Sequence, residues 1–325
     1  MGRGMWTEAI AVTAAGDSRN EPGSRGRGPS SRSDGPAEDM TELRRKLRKL
    51  RPSNRRHLEP PTRRHEIPTH SQQPIAATVR RPPLAPVRLE DAADGVEVAA
   101  PHGGRAYLIK HAVAELDAAY HGLAGDFLVQ FEREESNLRR LLHATGASEV
   151  AQPHDLVFMD LETTGLSATP LFLIGTMTWE QGGFVVSQYL ARNYAEEAAA
   201  ISLFGMAAAG KRALVSFNGK SFDMPYLQTR AAATGVHFEA DFAHCDLLHE
   251  ARRAWGRSLP NCQLQTLEAH ICGRPRHDDI PGSEIPEAYH EFVRTGNAAQ
   301  IVTILQHNVL DLVTLAELML KLPAR

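Results

Sequence analysis

Cysteine is scarce in this 325-residue chain, with only Cys245, Cys262 and Cys272 present. An odd number, without the paired spacing of a zinc site, argues against a disulfide framework and for a reducing cytosol. Long apolar runs are missing too: none reaches the roughly 18 residues needed to span a bilayer. Residues 9–15 form a weak, poorly flanked apolar patch that does not read as a signal peptide. There is no internal repeat. These absences lead us to expect a soluble, cytoplasmic protein.

Acidic charge is thin at the N-terminus and plentiful afterwards. Residues 1–90 carry 18 Lys/Arg against 10 Asp/Glu, a net of +8, whereas the whole chain is −3, which leaves −11 for residues 91–325. General attraction to polyanions is therefore expected from the arm and not from the acidic remainder. Residues 16–39 are rich in Gly, Ser, Pro and Arg and have no hydrophobic period, so disorder is expected. At Met40 the character changes. Leu43, Leu47 and Leu50 lie at helical spacing among Arg and Lys, with Thr41 as N-cap, which predicts a short basic helix over 41–51. Such a helix serves as a phosphate-binding arm or docking peptide, or is simply a solvated marginal helix. The same change raises the alternative that translation begins at Met40. Proline-rich residues 52–90 read as linker, so residues 1–94 form a basic arm ahead of the ordered chain.

Residues 96–98 and 106–109, separated by Pro101-His102-Gly103-Gly104, predict a hairpin. Helical patterns follow at about 111–122 and 131–144, and residues 95–150 are expected to brace the main domain at 151–325. From 155 onward the pattern is α/β: strands at 155–161, 171–179 and 184–190, a helix near 196–209, a strand at 213–217, a helix near 221–234 and a strand near 241–246. Helices then continue to Leu322, interrupted by a loop around 274–286. Three adjacent strands followed by alternating elements predict a mixed sheet with helices on its faces.

The chain is organised around Leu156-Val157-Phe158-Met159-Asp160-Leu161-Glu162. Asp160 and Glu162, two residues apart, lie on the same side of a buried strand. An isolated Asp-x-Glu is more often an exposed acidic turn. Paired anions at a buried strand end, however, repel unless a cation lies between them, and Mg²⁺ or Mn²⁺ prefers such oxygen ligands. A second segment, Asn218-Gly219-Lys220-Ser221-Phe222-Asp223, follows a buried strand and opens a helix. It places an amide and a carboxylate where crevices form in open α/β sheets. A third lies on the last helix, where His307 and Asp311 are one turn apart. Because that helix is largely apolar, its His–Asp stripe is expected to face the interior or a cleft.

Together these segments resemble the three exonuclease motifs of the DEDD (DnaQ-like) 3′–5′ exonucleases, which have the RNase H-like fold. Asp160-x-Glu162-Thr163-Thr164-Gly165, Asn218-x-x-x-Phe222-Asp223 and the helix bearing Asp311 carry the resemblance. Asp278-Asp279-Ile280-Pro281-Gly282 and His307-Asn308-x-x-Asp311 are similar to the YprB-like bacterial group within that superfamily. The resemblance spans about 95–322. It implies that Asp160, Glu162, Asp223 and Asp311 hold two Mg²⁺ or Mn²⁺ ions, and that His307 is the general base. It also implies that Thr163, Asn218 and Lys220 contact substrate. One departure is that the family's His members place the base five residues before the last Asp. Here His307 occupies the four-residue spacing of the Tyr members, a rotation of about 100° around a helix.

Arg274, like Lys220, is a candidate phosphate contact. Asp246 reads as a helix cap, Tyr226 and Phe222 as core packing, with stacking on a base as their alternative, and Cys245 as a small core residue. His244, His249, His270 and His277 form no ligand set. The leading expectation is a metal-dependent 3′–5′ exonuclease whose partner is single-stranded DNA or RNA with a free 3′ end. A nucleic-acid-binding module of the same fold with little or no catalysis is the alternative. An endonuclease of RNase H or resolvase type is a third reading, sharing the metals but not the Asn218-to-Asp223 motif.

Overall fold

A computed structural model describes residues 86–323 apart from 168, 277 and 278. Residues 1–85, including the expected basic helix at 41–51, lie outside the described residues, as does His277.

Seven strands form one mixed sheet in the order β1-β2-β5-β4-β3-β6-β7. β1 (Gly95–Ala99) and β2 (Arg105–Ala112) make the expected hairpin, turning at Gly103 and Gly104, whose φ values of 90° and 78° suit glycine. This hairpin is continuous with the main sheet, because β2 pairs antiparallel with β5 (Gly183–Leu190) through Ala112↔Val185. That pairing overrides the expected helix at 111–122. After a helical turn at Val113–Leu116, α1 covers Leu123–Glu132 and α2 covers Asn137–Ala144. α2 starts at Ser136, whose hydroxyl accepts the Arg139 N–H, a local bond that hydrophobic periodicity does not register.

β3 (Leu156–Thr163), β4 (Leu171–Glu180) and β5 form an antiparallel meander. α3 (Glu197–Ala208) leads to β6 (Ala213–Ser216), which pairs parallel with β3. α4 (Asp223–Thr234) leads to β7 (Ala243–Asp246), parallel to β6. α5 (Leu247–Trp255), a short helix continuing into a π turn at Glu268–Cys272, α6 (Ile285–Thr295) and α7 (Ala299–Lys321) complete the order.

Side-chain alternation along β3 divides the core. Val157, Met159 and Leu161 pack with α3 and α4, whereas Leu156 and Phe158 pack with α1 and the C-terminal part of α7. Asp160 and Glu162 continue the second set, so they extend the α7-facing side of the strand. The first half of α7, with Ile301, Ile304 and Leu305, joins α6 over Phe172 and Leu173. There Tyr289 stacks on Phe172 with ring centres 4.0 Å apart. α7 is long and apolar enough by length and composition to cross a membrane, contrary to the sequence reading. Its apolar face is nevertheless committed to these two cores.

α4 is tied down from outside the sheet. The buried Glu197 carboxylate accepts two Arg230 N–H bonds at 2.7 Å and the Leu171 N–H at 2.9 Å. This fixes the helix that begins with Asp223 against the start of β4.

Candidate active site

Asp160, Glu162, Asp223, His307 and Asp311 line one cavity of about 660 Å³. Three stretches of chain supply them: the end of β3, the first residue of α4 and the middle of α7. The β3–β4 register shifts between Glu162 and Thr163. A bulge of this kind ends regular pairing and re-aims side chains, here directly after the two acids.

α7 reaches β3 through Asn308, which is fully buried. Its Nδ2 donates to Asp160 Oδ2 at 2.8 Å and to the Asp160 carbonyl at 3.3 Å, while its Oδ1 accepts from Gln188 Nε2 at 2.9 Å. Opposite Asp160 in the ladder stands Gly175, where a Cβ would lie 2.0 Å from Asn308 Oδ1. The glycine is what lets the amide come this close.

His307 Nδ1 lies 2.8 Å from Asp279 Oδ1 and 3.4 Å from Arg276 Nη1. The shorter contact makes Nδ1–H the donor to Asp279. In the neutral ring Nε2 is then the unprotonated nitrogen. It faces the cavity acids, 3.5 Å from Asp311 Oδ2 and 4.0 Å from Glu162 Oε1. The four-residue spacing thus still turns His307 into the cavity. Burial alone would raise Asp279, but hydrogen bonding to His307, with Arg276 adding, holds its carboxyl below the usual range.

The cavity acids behave as an anionic site short of a counter-charge. Burial first, then the charges of Asp311, Glu162 and Asp223, push Asp160 well above the ordinary carboxylate range, and the Asn308 hydrogen bond opposes this only in part. Glu162 rises likewise through burial, Asp311, Asp223 and Asp279, against the pull of Arg276. Asp223 is pushed up to about 7, chiefly by burial, although hydrogen bonding to its own and Leu161's backbone opposes the rise. A divalent cation removes both the repulsion and the cost of burying the charged forms. All-oxygen donors fit Mg²⁺ or Mn²⁺. Among the described residues no group of three or more His, Cys, Asp or Glu side chains is gathered closely enough to hold a metal ion by itself. The acids line an open cavity instead, which suits Mg²⁺, an ion that keeps waters and substrate oxygens among its ligands.

The remaining expected residues divide. Asn218 lies on the cavity wall, left-handed at φ 65°, with its N–H donating to Asp246 Oδ1 at 2.8 Å. Lys220 is exposed and its N–H donates to the other Asp246 oxygen at 3.1 Å. Asp246 also accepts the Leu248 N–H, so it is the expected helix cap and the clamp of the Asn218 loop as well. Thr163 lines the cavity, but its hydroxyl donates to the Gly165 carbonyl at 2.8 Å. Arg274 turns inward, contrary to a phosphate-contacting role: it pairs with Glu268 at 2.5 Å and Glu317 at 2.6 Å and covers the Tyr120 ring. Tyr226 braces the turn after β3, donating to the Thr169 carbonyl at 2.7 Å. Sequence reasoning overlooked Asn308, Asp279 and Arg276 as parts of the site. Their only signal was proximity to Asp311 and to the Asp-Asp-Ile-Pro stretch.

Residues 157–322 match the RNase_H_2 family of the RNase H superfamily. The chain belongs to that superfamily. Its seven-stranded mixed sheet with flanking helices is the RNase H-like fold, whose members are generally nucleases. This RNase H-like chain is 31% identical over 189 residues to the protein YprB of Bacillus subtilis (strain 168), an alignment covering 57% of this chain and 45% of that protein. It therefore spans less than half of that relative's length. A solved structure of the family B DNA polymerase from the hyperthermophilic archaeon Pyrobaculum calidifontis is similar over 50% of this chain and 24% of its own. That likeness has a TM-score of 0.41 and 17% identity.

Proposed function

We propose that the protein is a divalent-metal-dependent 3′–5′ exonuclease acting on single-stranded DNA or RNA. The observation that carries this reading is the convergence of Asp160, Glu162, Asp223 and Asp311, with His307, on one cavity. Two Mg²⁺ or Mn²⁺ ions would be held by the four carboxylates and would supply charge stabilisation to the phosphodiester undergoing displacement. His307 Nε2, free when Nδ1 donates to Asp279, takes the proton of the attacking water. The water oxygen bonds to phosphorus, and the bond to the 3′ oxygen of the preceding nucleotide breaks with its electron pair staying on that oxygen, which takes a proton from solvent as the 5′-mononucleotide is released. Asn308 keeps Asp160 from rotating out of reach during this step. Leu166, 89% exposed at the cavity wall, offers an apolar surface to a terminal base. Thr163, Asn218 and Lys220 contact the strand.

The arm at residues 1–90, at net +8, supplies sequence-independent affinity, so its removal lowers the salt dependence of binding. A weakly catalytic binding module is the second reading, favoured only in that Arg276 occupies one oxygen of Asp311, Oδ1, and leaves Oδ2 to the cavity.

The experiment is degradation of 3′-labelled and 5′-labelled single strands with Mn²⁺, beside Asp160→Ala. Stepwise release from the 3′ end that the substitution abolishes supports the exonuclease. Cleavage of a circular strand would replace it with an endonuclease. Metal-dependent binding without release would replace it with the binding module.

A further inference from the structure

Arg276 is a charged side chain only 6% exposed, and three carboxylates from separate segments converge on it. Its Nε donates to Glu268 Oε2 at 2.5 Å, its Nη1 to Asp279 Oδ2 at 3.3 Å and its Nη2 to Asp311 Oδ1. Burying such a cation without partners is strongly unfavourable, so the pairs explain how it is tolerated. They do not explain why these partners were used.

The oxygens involved give the reason. Arg276 takes Oδ1 of Asp311 and leaves Oδ2 facing His307 Nε2 at 3.5 Å. It takes Oδ2 of Asp279 and leaves Oδ1 for His307 Nδ1 at 2.8 Å. One planar fork thus touches two carboxylates, one lining the cavity and one holding the imidazole, and it shares the second with Gln265 Nε2, which donates to Asp279 Oδ2 at 2.9 Å, and with the Ile280 N–H, which donates to Oδ1 at 3.0 Å. The fork is itself braced. Glu268 is fully buried and shared with Arg274, which donates to Thr314 at 3.0 Å and Glu317 at 2.6 Å on the same helix as Asp311. The frame therefore meets α7 at Asp311, Thr314 and Glu317, three positions along one stripe of the helix.

We propose that Arg276 is a positioning residue that orients Asp311 for cation binding and, through Asp279, orients His307 for proton transfer. This rests on the exonuclease reading above. A lysine keeps the charge but presents its three N–H donors from one rotatable nitrogen, which cannot span the three carboxylates as a rigid planar fork does, so charge and geometry are separable.

The test uses the full chain, with folding checked by circular dichroism, and compares Arg276→Lys, Arg276→Gln and Asp279→Asn. Mn²⁺ affinity is measured by calorimetry without nucleic acid, and kcat and KM with a 3′-labelled strand. Loss of an outer-shell partner costs about 10- to 100-fold in metal affinity or activity. Arg276→Lys is expected to weaken Mn²⁺ binding about tenfold despite its retained charge. Asp279→Asn, which removes only a non-contacting charge from the neighbourhood of Glu162, is expected to change Mn²⁺ affinity less than Arg276→Lys does and to lower kcat about tenfold or more at constant KM. Arg276→Lys and Arg276→Gln that both match the unsubstituted chain in Mn²⁺ affinity and kcat would overturn the proposal. So would Asp279→Asn with full kcat, which decides the matter even if the arginine variants do not fold. Failure of the underlying reading is distinguishable, because the unsubstituted chain would then release no nucleotides stepwise from the 3′ end, whether or not it binds Mn²⁺.

Discussion

Asn308 donates to Asp160 Oδ2 at 2.8 Å and stands one residue after His307 on the same helix. The helix that presents the imidazole therefore also fixes the first acid of β3. The link exists because Gly175, the ladder partner of Asp160, has no side chain to hold the amide away. Gly175→Ala places a Cβ 2.0 Å from Asn308 Oδ1. It is expected to destabilise the fold by about 1–3 kcal/mol through overpacking and to lower turnover beyond that loss. A melting temperature and strand-release rate equal to the unsubstituted protein's would refute the clamp.

The cavity acids make stability depend on pH in an unusual direction. Asp223 has an ordinary value of 3.8 and rises to about 7 in the folded chain. Between those values the folded state binds more protons than the unfolded one. This contribution is thus fully present at low pH and is lost as pH rises through about 7. In EDTA the melting temperature is expected to fall between about pH 5 and pH 8, and Mg²⁺ at pH 8 to restore it. Asp223→Asn flattens the fall. A melting temperature that climbs over the same interval in EDTA would contradict the assignment.

Replacing Asp160, Glu162, Asp223 or Asp311 singly by Ala removes a share of the charge that, on the function proposed above, would hold the cations. With several kcal/mol of stabilisation at stake, turnover is expected to drop by about 10³-fold in each case. Strand-release kinetics at saturating Mn²⁺ measure it. Any one variant retaining more than about a tenth of the activity removes that residue from the ligand set.

Leu166 contributes nothing to the core, being 89% exposed. Leu166→Ala is accordingly expected to leave stability within about 0.5 kcal/mol. If it covers a terminal base, the variant loses roughly 1–2 kcal/mol of apolar contact, about tenfold in KM. An unchanged KM would leave Leu166 without a part in substrate binding.

Much of this molecule is written locally in the chain. The apolar run at 156–159 and the period-two placement of Asp160 and Glu162 identify a buried strand ending in acids. The turn at 218–219 and the opening of a helix at Asp223 are equally readable, as is the one-turn spacing of His307 and Asp311. Each depends on neighbours a few residues away and on backbone periodicity. What misled periodicity was β2, whose pairing with β5 carries it to Ala112 where a helix was expected.

Which face of α7 meets β3, and whether His307 looks into the cavity, were decided only by packing between distant segments. Gly175, Gln188 and Asn308 are far apart in sequence, and their fit appears only when the sheet and α7 close on each other. Arg274 and Arg276 look alike in the chain, as two basic residues flanking Pro275. Burial separates them: one turns to Glu317 beneath the helix, the other joins Asp311 and Asp279 behind the cavity. A charged side chain taken out of water has to find its counter-charges wherever the fold has placed them, and no local pattern records that place.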